Sequence, residues 1–219
     1  MPAPPPAAAA ALFDVMDGLS RGLNHALSNR VNTLNTLLAV LQDIPEYDAE
    51  IIEALAAEEG RFEGVLALYR LMPFDLRAAR EPIMLADPVK DALALFQHHL
   101  DLRFLPCDTI GMESAPPVRC QRQLLTQAIL VMLVAAGRPV AGDDAGHGLT
   151  LSAGSTEDEV VLRVTTTRPA PPVDAVAWEA LEWLCTQVGG TALRGEDDDG
   201  RPWAAMALTT LAAEKRKGR

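Results

Sequence analysis

From Leu12 onward, apolar residues recur at Met16, Leu19, Leu23, Leu27, Val31, Leu34, Leu38 and Leu41. Steps of three and four keep one face of a helix apolar, over about 45 Å at a rise of ~1.5 Å per residue. Pro45 ends the run. A second stripe, Ile52, Leu55, Phe62, Leu66 and Tyr69, follows and stops at Pro73. Two long helices joined by so short a connection lie antiparallel. A lone hairpin leaves half of its apolar seam open, so a second copy is the economical cover, giving a four-helix bundle from two chains. Ahead of the first stripe, residues 1–11 read as a flexible Pro/Ala tail.

The pattern changes after Pro82. Ile83-Met84-Leu85 reads as a short strand, and Asp87 as the cap of a helix with Pro88 at its first position, running through Asp91, Leu95 and Gln97. Leu102–Leu105 reads as a strand and Arg119–Ala136 as a buried helix. Gly148–Ala153 and Glu159–Thr166 alternate around a polar turn, the pattern of a hairpin. A helix from about Val173 to Val188 stops at Gly189-Gly190. Thr191–Arg194 and Trp203–Leu211 form a last hairpin around Glu196–Gly200. The expected class is α+β: a helical hairpin over 12–73, a layered α/β sandwich over 82–211 with the boundary near 73–82, and a solvated basic tail at 212–219.

Composition narrows the function classes. The chain has 219 residues with 19 Lys+Arg against 30 Asp+Glu, a net charge of −11, which excludes a phosphate-backbone binder. With 49% hydrophobic and 22% charged residues it is not a disordered chain. Cys107, Cys120 and Cys185 are odd in number and far apart, so they suggest neither a disulfide framework nor a zinc knuckle. A reducing cytoplasm is expected. The N-terminus lacks the basic flank and Leu-rich core of a signal peptide, and the longest apolar run, Ala128–Gly137, is too short to span a bilayer. Neither membrane nor nucleic acid is expected as a partner. His98-His99 and His147 have no partner at ligand spacing, so no metal site is expected. Asp197-Asp198-Asp199 reads as a solvated turn and Cys185 as packing. No P-loop, dinucleotide fingerprint or Gly-x-Ser-x-Gly occurs.

The segment Asn24-His25-Ala26-Leu27-Ser28-Asn29-Arg30-Val31 holds the candidate chemistry. His25 lies two positions from both Leu23 and Leu27, about 200° round the helix from the seam, and so points outward. Arg21, Asn29 and Asn32 share its face. An imidazole is partly neutral near pH 7 and then nucleophilic. On position alone, a surface histidine on a solvated helix face is the favoured reading.

His-x-Leu-x-Asn-x-Val, midway along the first of two paired helices, resembles the H-box of bacterial sensor histidine kinases, commonly His-Glu-Leu-x-Asn-x-Leu. The resemblance puts His25 on the phosphoacceptor position, Leu27 on the buried leucine and Asn29 on the polar residue one turn later. Ala26 stands where that family carries an acidic residue, which acts as a base when the histidine attacks ATP, an effect on the order of 10²–10⁴. The second unit resembles the kinase ATP-binding domain in order of elements. Gln123–Leu130 looks like the entrance of its N-box helix, yet Val131 and Ala135 occupy the two asparagine positions that hold Mg²⁺ and nucleotide. Apolar side chains cannot ligate a hard cation. Thr165–Pro172 lacks the Asp-x-Gly-x-Gly turn that reads adenine, and Val173 begins the next helix with no Gly-rich lid between.

A histidine-bearing dimeric hairpin joined to a degenerate ATP-binding domain resembles the ChpT-type histidine phosphotransferases, over about residues 12–211. The resemblance implies a phosphoryl group relayed between response-regulator receiver domains through His25, with Asn29 orienting the imidazole. It implies a homodimer, no ATP and no cofactor, Mg²⁺ being held only by the partner receiver. Docking would use Arg21, Ala26, Asn29, Arg30 and Thr33, with the second helix contributing near Arg61 and Glu63 and the α/β unit serving as a wall. The rival reading is a non-catalytic pseudo-kinase module that sequesters a receiver or a sensor kinase. An ATP-dependent autokinase is not expected.

Overall fold

A computed structural model describes residues 3–43, 49–72, 78–142 and 146–217; the stops expected at Pro45 and Pro73 lie outside them. The first helix, α1, runs from Pro6 to Asp43. Pro6 occupies the first helical position, where its missing N–H costs nothing, and the alanine run behind it is the strongest helix-forming composition. The tail reading of residues 1–11 is therefore corrected: the helix has begun by Pro6, and Ala8 and Ala11 are buried. Helix α2 spans Ala49–Tyr69. Antiparallel pairing with α1 is fixed by the Tyr69 hydroxyl, which donates to Asn24 Oδ1 at 2.6 Å, and by Arg30, which reaches Glu58 at 3.3 Å.

The α/β unit contains β1 (Glu81–Ile83), α3 (Ala86–Phe96), β2 (Cys107–Ile110), β3 (Val118–Cys120), α4 (Arg122–Gly137), β4 (Leu149–Ser155) and β5 (Glu159–Thr166). It continues with α5 (Ala175–Val188), β6 (Gly190–Glu196), β7 (Pro202–Thr209) and α6 (Leu211–Lys217). Five strands form one mixed sheet in the order β2-β4-β5-β7-β6, parallel only between β2 and β4; β1 and β3 make a separate antiparallel ribbon. Alternation sets the faces: Leu151, Leu162, Val164, Ala204 and Met206 are buried, while Thr150, Arg163, Thr165 and Trp203 keep partial exposure on the opposite face. Helix α4, buried from Leu124 to Gly137, is the hub of the helical layer. With the short turn after it, Arg122–Val140 is long and apolar enough to cross a membrane by length and composition, which the run Ala128–Gly137 alone is not, and it is mostly buried as a core helix is.

Two units with a boundary near 73–82 were the expectation, and a shared core joins them. One apolar cluster takes in Ala11, Leu12, Val15, Leu19 and Leu23 of α1 together with α4, α5 and the sheet. The N-terminal half of the first stripe is thus covered by the chain's own α/β unit. The α3–β2 turn closes on α1 at two glycines. Leu100 N–H donates to Gly18 O at 3.3 Å, the His99 ring lies over Gly18, and a Cβ on Gly22 would stand 1.6 Å from the His98 carbonyl oxygen.

Four local expectations change as well. Leu102–Leu105 is a turn, not a strand: Leu102 is fully buried, but the ladder beside β4 is made by Cys107–Ile110. Asp87 does not cap α3; Leu85 takes the cap position, with Asp87 and Pro88 inside the first turn, where a proline is tolerated. The strand expected at 83–85 is Glu81–Ile83. The basic tail is not a free end: Arg216 pairs with Glu157 and Asp158, and Ala213 is buried. Helix α5 ends as expected on Gly189 at φ 82°, a conformation that favours glycine.

Candidate functional site

His25 is exposed on α1, facing away from the seam as its spacing predicts. The Asn29 amide nitrogen lies 3.4 Å from His25 Nε2, one helical turn away and at the outer limit of hydrogen bonding. The backbone around them is reinforced by hydroxyls that bond one turn back: Ser28 donates to Asn24 O at 2.9 Å and Thr33 to Asn29 O at 3.0 Å. Tyr69 holds Asn24, the residue before His25, from the opposite helix.

The expected docking residues divide. Arg21 is exposed and pairs with Asp17 at 3.3 Å on its own helix. Thr33 is exposed, with its hydroxyl turned to the helix. Arg30 is half-buried and engaged: Glu58, whose side chain is almost fully covered, receives Arg61 at 3.0 Å and Arg30 at 3.3 Å. The Arg61 hydrogen bond, partly opposed by burial and seconded by Arg30, holds the Glu58 carboxyl below the usual carboxylate range. Ala26 is half-buried and packs against the core, so it is a poor contact for a partner. The α2 register also shifts from expectation. Arg61 faces Arg30, and it is Tyr69 that stands across from the level of His25, while Glu63 is exposed further along.

Glu58, Tyr69 and the α3–β2 turn are contributors that the sequence reading did not single out. The signal for the turn is the Gly18-x-x-x-Gly22 spacing, which allows close backbone approach; the spacing says nothing of Glu58 or Tyr69. Burial, and then the Arg30 guanidinium, lowers the affinity of His98 for a proton. His99 is fully buried with neither ring nitrogen hydrogen-bonded among the described residues, and burial lowers its pKa too. Burial raises the thiols of Cys120 and Cys185 to about 12 and that of Cys107 to about 11, which leaves all three unreactive.

At the position the resemblance assigns to a nucleotide, α4 turns Val131 and Ala135 into the core, both fully buried. The Asp174 N–H donates to Ala135 O at 2.8 Å, and Arg138 ties Asp174 and Asp14 together over the same stretch. Gln123 and Gln127 donate to backbone carbonyls of Arg70, Leu71 and Met72, anchoring the end of the hairpin to α4. Among the described residues there is no group of three or more His, Cys, Asp or Glu arranged to hold a metal ion. Five surface cavities of about 200 to 550 Å³ lie on the α/β unit, and His25 lines none of these five. The candidate site is a projecting helix face, which suits a macromolecular partner better than a small molecule.

No family model and no curated protein matches the sequence. Among solved structures, the chain is similar to the histidine kinase AdeS of Acinetobacter baumannii at 15% identity and a TM-score of 0.48, covering 85% of this chain and 98% of that one. A structure described as a bacterial phosphotransferase matches at 13% identity and TM-score 0.44, over 89% of this chain and 96% of that one. The cytoplasmic segment of the histidine kinase QseC matches at 15% and 0.45, over 76% and 98%. Scores below 0.5 leave the site to be argued from its own residues.

Proposed function

We propose that this chain is a cytoplasmic histidine phosphotransferase that relays a phosphoryl group between receiver domains through His25, without binding ATP, as a homodimer closed by a four-helix bundle. The observation that carries the reading is an exposed imidazole whose Nε2 lies 3.4 Å from the Asn29 amide. An amide N–H directed at Nε2 favours the tautomer with its proton on Nδ1 and its lone pair on Nε2. At 3.4 Å the contact is long, so the amide gives up the lone pair as phosphorus approaches.

Nε2 then bonds to the phosphorus of an aspartyl phosphate, the P–O bond breaks, and the carboxylate leaves with the electron pair. The Nδ1 proton of the resulting phosphoimidazolium exchanges with solvent. Attack by a second receiver's aspartate reverses the step. Transfer of this kind is mainly positioning and charge stabilisation. Arg21 and Arg30 are the cations on the helix flanking His25. Mg²⁺ belongs to the receiver's acidic pocket. The inward placement of Val131 and Ala135 favours a relay over an autokinase.

A second reading has one observation behind it. Ala26 packs against the core and leaves no carboxylate next to His25, as in a module that binds receivers and never carries phosphate. The two separate in one experiment. Receiver domains of the same genome, charged with radiolabelled acetyl phosphate, are mixed with the wild type and with His25→Ala. The relay gives an acid-labile, alkali-stable label on the wild type only. Tight receiver binding with no label transfers the case to the binding module.

A further inference from the structure

Helices α4 and α5 pack on one face of the five-stranded sheet, and the opposite face carries a run of contacts for which phosphotransfer has no use. Alternation sets Thr150, Thr165, Trp203 and Gly195 side by side across β4, β5, β7 and β6 on that face, with Ser152, Arg163 and Ala205 in the next row. Gly195 has no side chain, and the Trp203 ring lies on it: a Cβ there would stand 2.8 Å from the indole. The Arg163 guanidinium in turn stacks 4.5 Å from the centroid of the same indole, and its ladder partner, Ala205, is small enough to leave it room. Arg119, Arg122, Arg138, Arg201 and Arg216 each meet a carboxylate. Arg163 meets none among the described residues, and its Nε is buried with no hydrogen-bond partner there. It lines a hollow of about 420 Å³ together with Thr150, Ser152, Thr165, Asp197 and Arg201. Asp197 is already satisfied, accepting from the Arg201 side chain at 2.8 Å and from the backbone N–H groups of Arg201 and Asp199. The Thr150 and Thr165 hydroxyls, ladder partners of each other, make no hydrogen bond among the described residues. The lining thus holds an uncompensated positive charge and two free hydroxyls, in a chain of net charge −11.

We propose that this hollow binds a small phosphate monoester of the sugar or polyol class, with Arg163, Thr150 and Thr165 holding the phosphate. A cation left without a carboxylate in an acidic chain is a local attractor for an anion, and guanidinium-to-phosphate bonds are among the strong hydrogen bonds. The guanidinium is held on the indole before any ligand arrives, so binding has little side-chain freedom to remove. Residues two apart on a strand are ~7 Å apart. A tetrahedral oxyanion can accept from Arg163 on one side and from the hydroxyls of the neighbouring row on the other, whereas a planar carboxylate spends its two oxygens on the fork. The hollow exceeds a bare phosphate and falls within the range of small-molecule sites, about 300–1,000 Å³. Its remaining wall is the hydrogen-bonded corner of Asp197 and Arg201, which suits a hydroxylated body better than an apolar one. None of these residues belongs to the hairpin, so the site does not depend on the relay.

The test titrates the full chain with inorganic phosphate, with glucose 6-phosphate and with glucuronate, a sugar that carries a carboxylate instead of the phosphate ester. Calorimetry reads affinity, backbone amide shifts read the place, and circular dichroism checks that each variant is folded. Saturable binding is expected for both phosphates, tightest for the sugar phosphate and about tenfold or more weaker for glucuronate. The amides of β4 and β5 are expected to shift and those of α1 to stay. Arg163→Gln is expected to raise Kd by about tenfold or more. Thr150→Val combined with Thr165→Val, which keeps shape and strand propensity, raises it less. Gly195→Val lifts the indole from beside the guanidinium and weakens binding without touching the ligand. Arg194→Gln removes the same charge from the other face, where Arg194 stacks on Trp178, and leaves Kd unchanged. No saturation by inorganic phosphate below about 10 mM, or equal losses in Arg163→Gln and Arg194→Gln, overturns the site. Glucuronate bound as tightly as glucose 6-phosphate overturns its assignment to phosphate.

Discussion

Leu12, Val15, Leu19 and Leu23 of α1 are buried, whereas Val31 and Leu38 on the same helix are 40% and 49% exposed. The apolar period runs through both halves without a break. The upper half is covered by the chain itself, through α5 and the α3–β2 turn; among the described residues the lower half has α2 alongside, and α2 leaves Ile52 exposed in turn. Periodicity reports that a helix has a face to bury, and it carries no information about which surface does the burying. His25 stands two residues past Leu23, at the junction of the two regimes: rigidly held from above, open below. The proposed phosphotransfer would benefit from that position, because the backbone of His25 is fixed while its side chain stays accessible.

The sharpest way to break the comparison is to truncate one leucine from each half. Leu23→Ala is expected to destabilise the chain by about 2–5 kcal/mol in denaturant unfolding, since it opens a cavity between α1 and the α/β unit. At roughly 2–4 °C per kcal/mol for a domain of this size, the melting point falls visibly. Leu38→Asp is expected to leave the unfolding of a single chain within about 0.5 kcal/mol but to convert the sedimenting species from two chains to one. A single chain already in the wild type would refute the four-helix bundle, and equal destabilisation by both variants would refute the division of α1.

Legibility in the sequence followed the same division. Both hairpin helices, the β4–β5 hairpin, α4 and the end of α5 at Gly189 could be read because each is fixed by local pattern: a period, an alternation or a glycine stop. Strand β2 could not. Cys107-Asp108-Thr109-Ile110 is short and largely exposed, and is held by backbone pairing to a strand some forty residues later, while Leu102 and Leu105, which look like a strand, point inward from a turn. At the site, His25 and Asn29 were legible as neighbours one turn apart on an outward face. Glu58 and Tyr69 were not, because the register between two helices depends on the geometry of their connection. The seating of the α3–β2 turn on Gly18 and Gly22 is a tertiary fact with only small residues to announce it.

That seating is the next point of attack. A methyl group on Gly22 has no room beside the His98 carbonyl, and the obstacle is backbone, so Gly22→Ala displaces the turn or bends α1. An overpacking cost of about 1–3 kcal/mol is expected, with faster hydrogen exchange confined to the α3–β2 turn and α1 upstream of His25. Gly60, on the lower half of the hairpin, has nothing within 4 Å of its would-be Cβ. There the same exchange to alanine is expected to stabilise by about 0.5–1 kcal/mol through helix propensity alone. Two losses, or two gains, would mean that the turn is not held where it lies.

Acid tests the same contact from the other side and gives the mildest effect, because it changes a proton rather than a side chain. His99 packs on Gly18, fully buried, with Arg138 and Arg21 opposing a positive charge there and Asp101 and Asp14 favouring it. Burial dominates, so the folded pKa lies below the unfolded value of about 6.5. The sign follows from linkage: the neutral ring's contribution is fully present above pH 6.5 and is lost as pH falls from there towards the folded pKa. Glu58 also has a lowered pKa, so its contribution is present above the unfolded carboxylate value of about 4.3 and disappears only in stronger acid. The two steps therefore separate on the pH axis. Stability measured between pH 7.5 and 5 is expected to fall in the wild type and to fall less steeply in His99→Phe, which keeps a ring over Gly18 and leaves His98 as the histidine of the turn whose lowered proton affinity still opposes acid. Parallel slopes for the two proteins would remove His99 as the acid-sensitive element of the contact and leave its packing role intact.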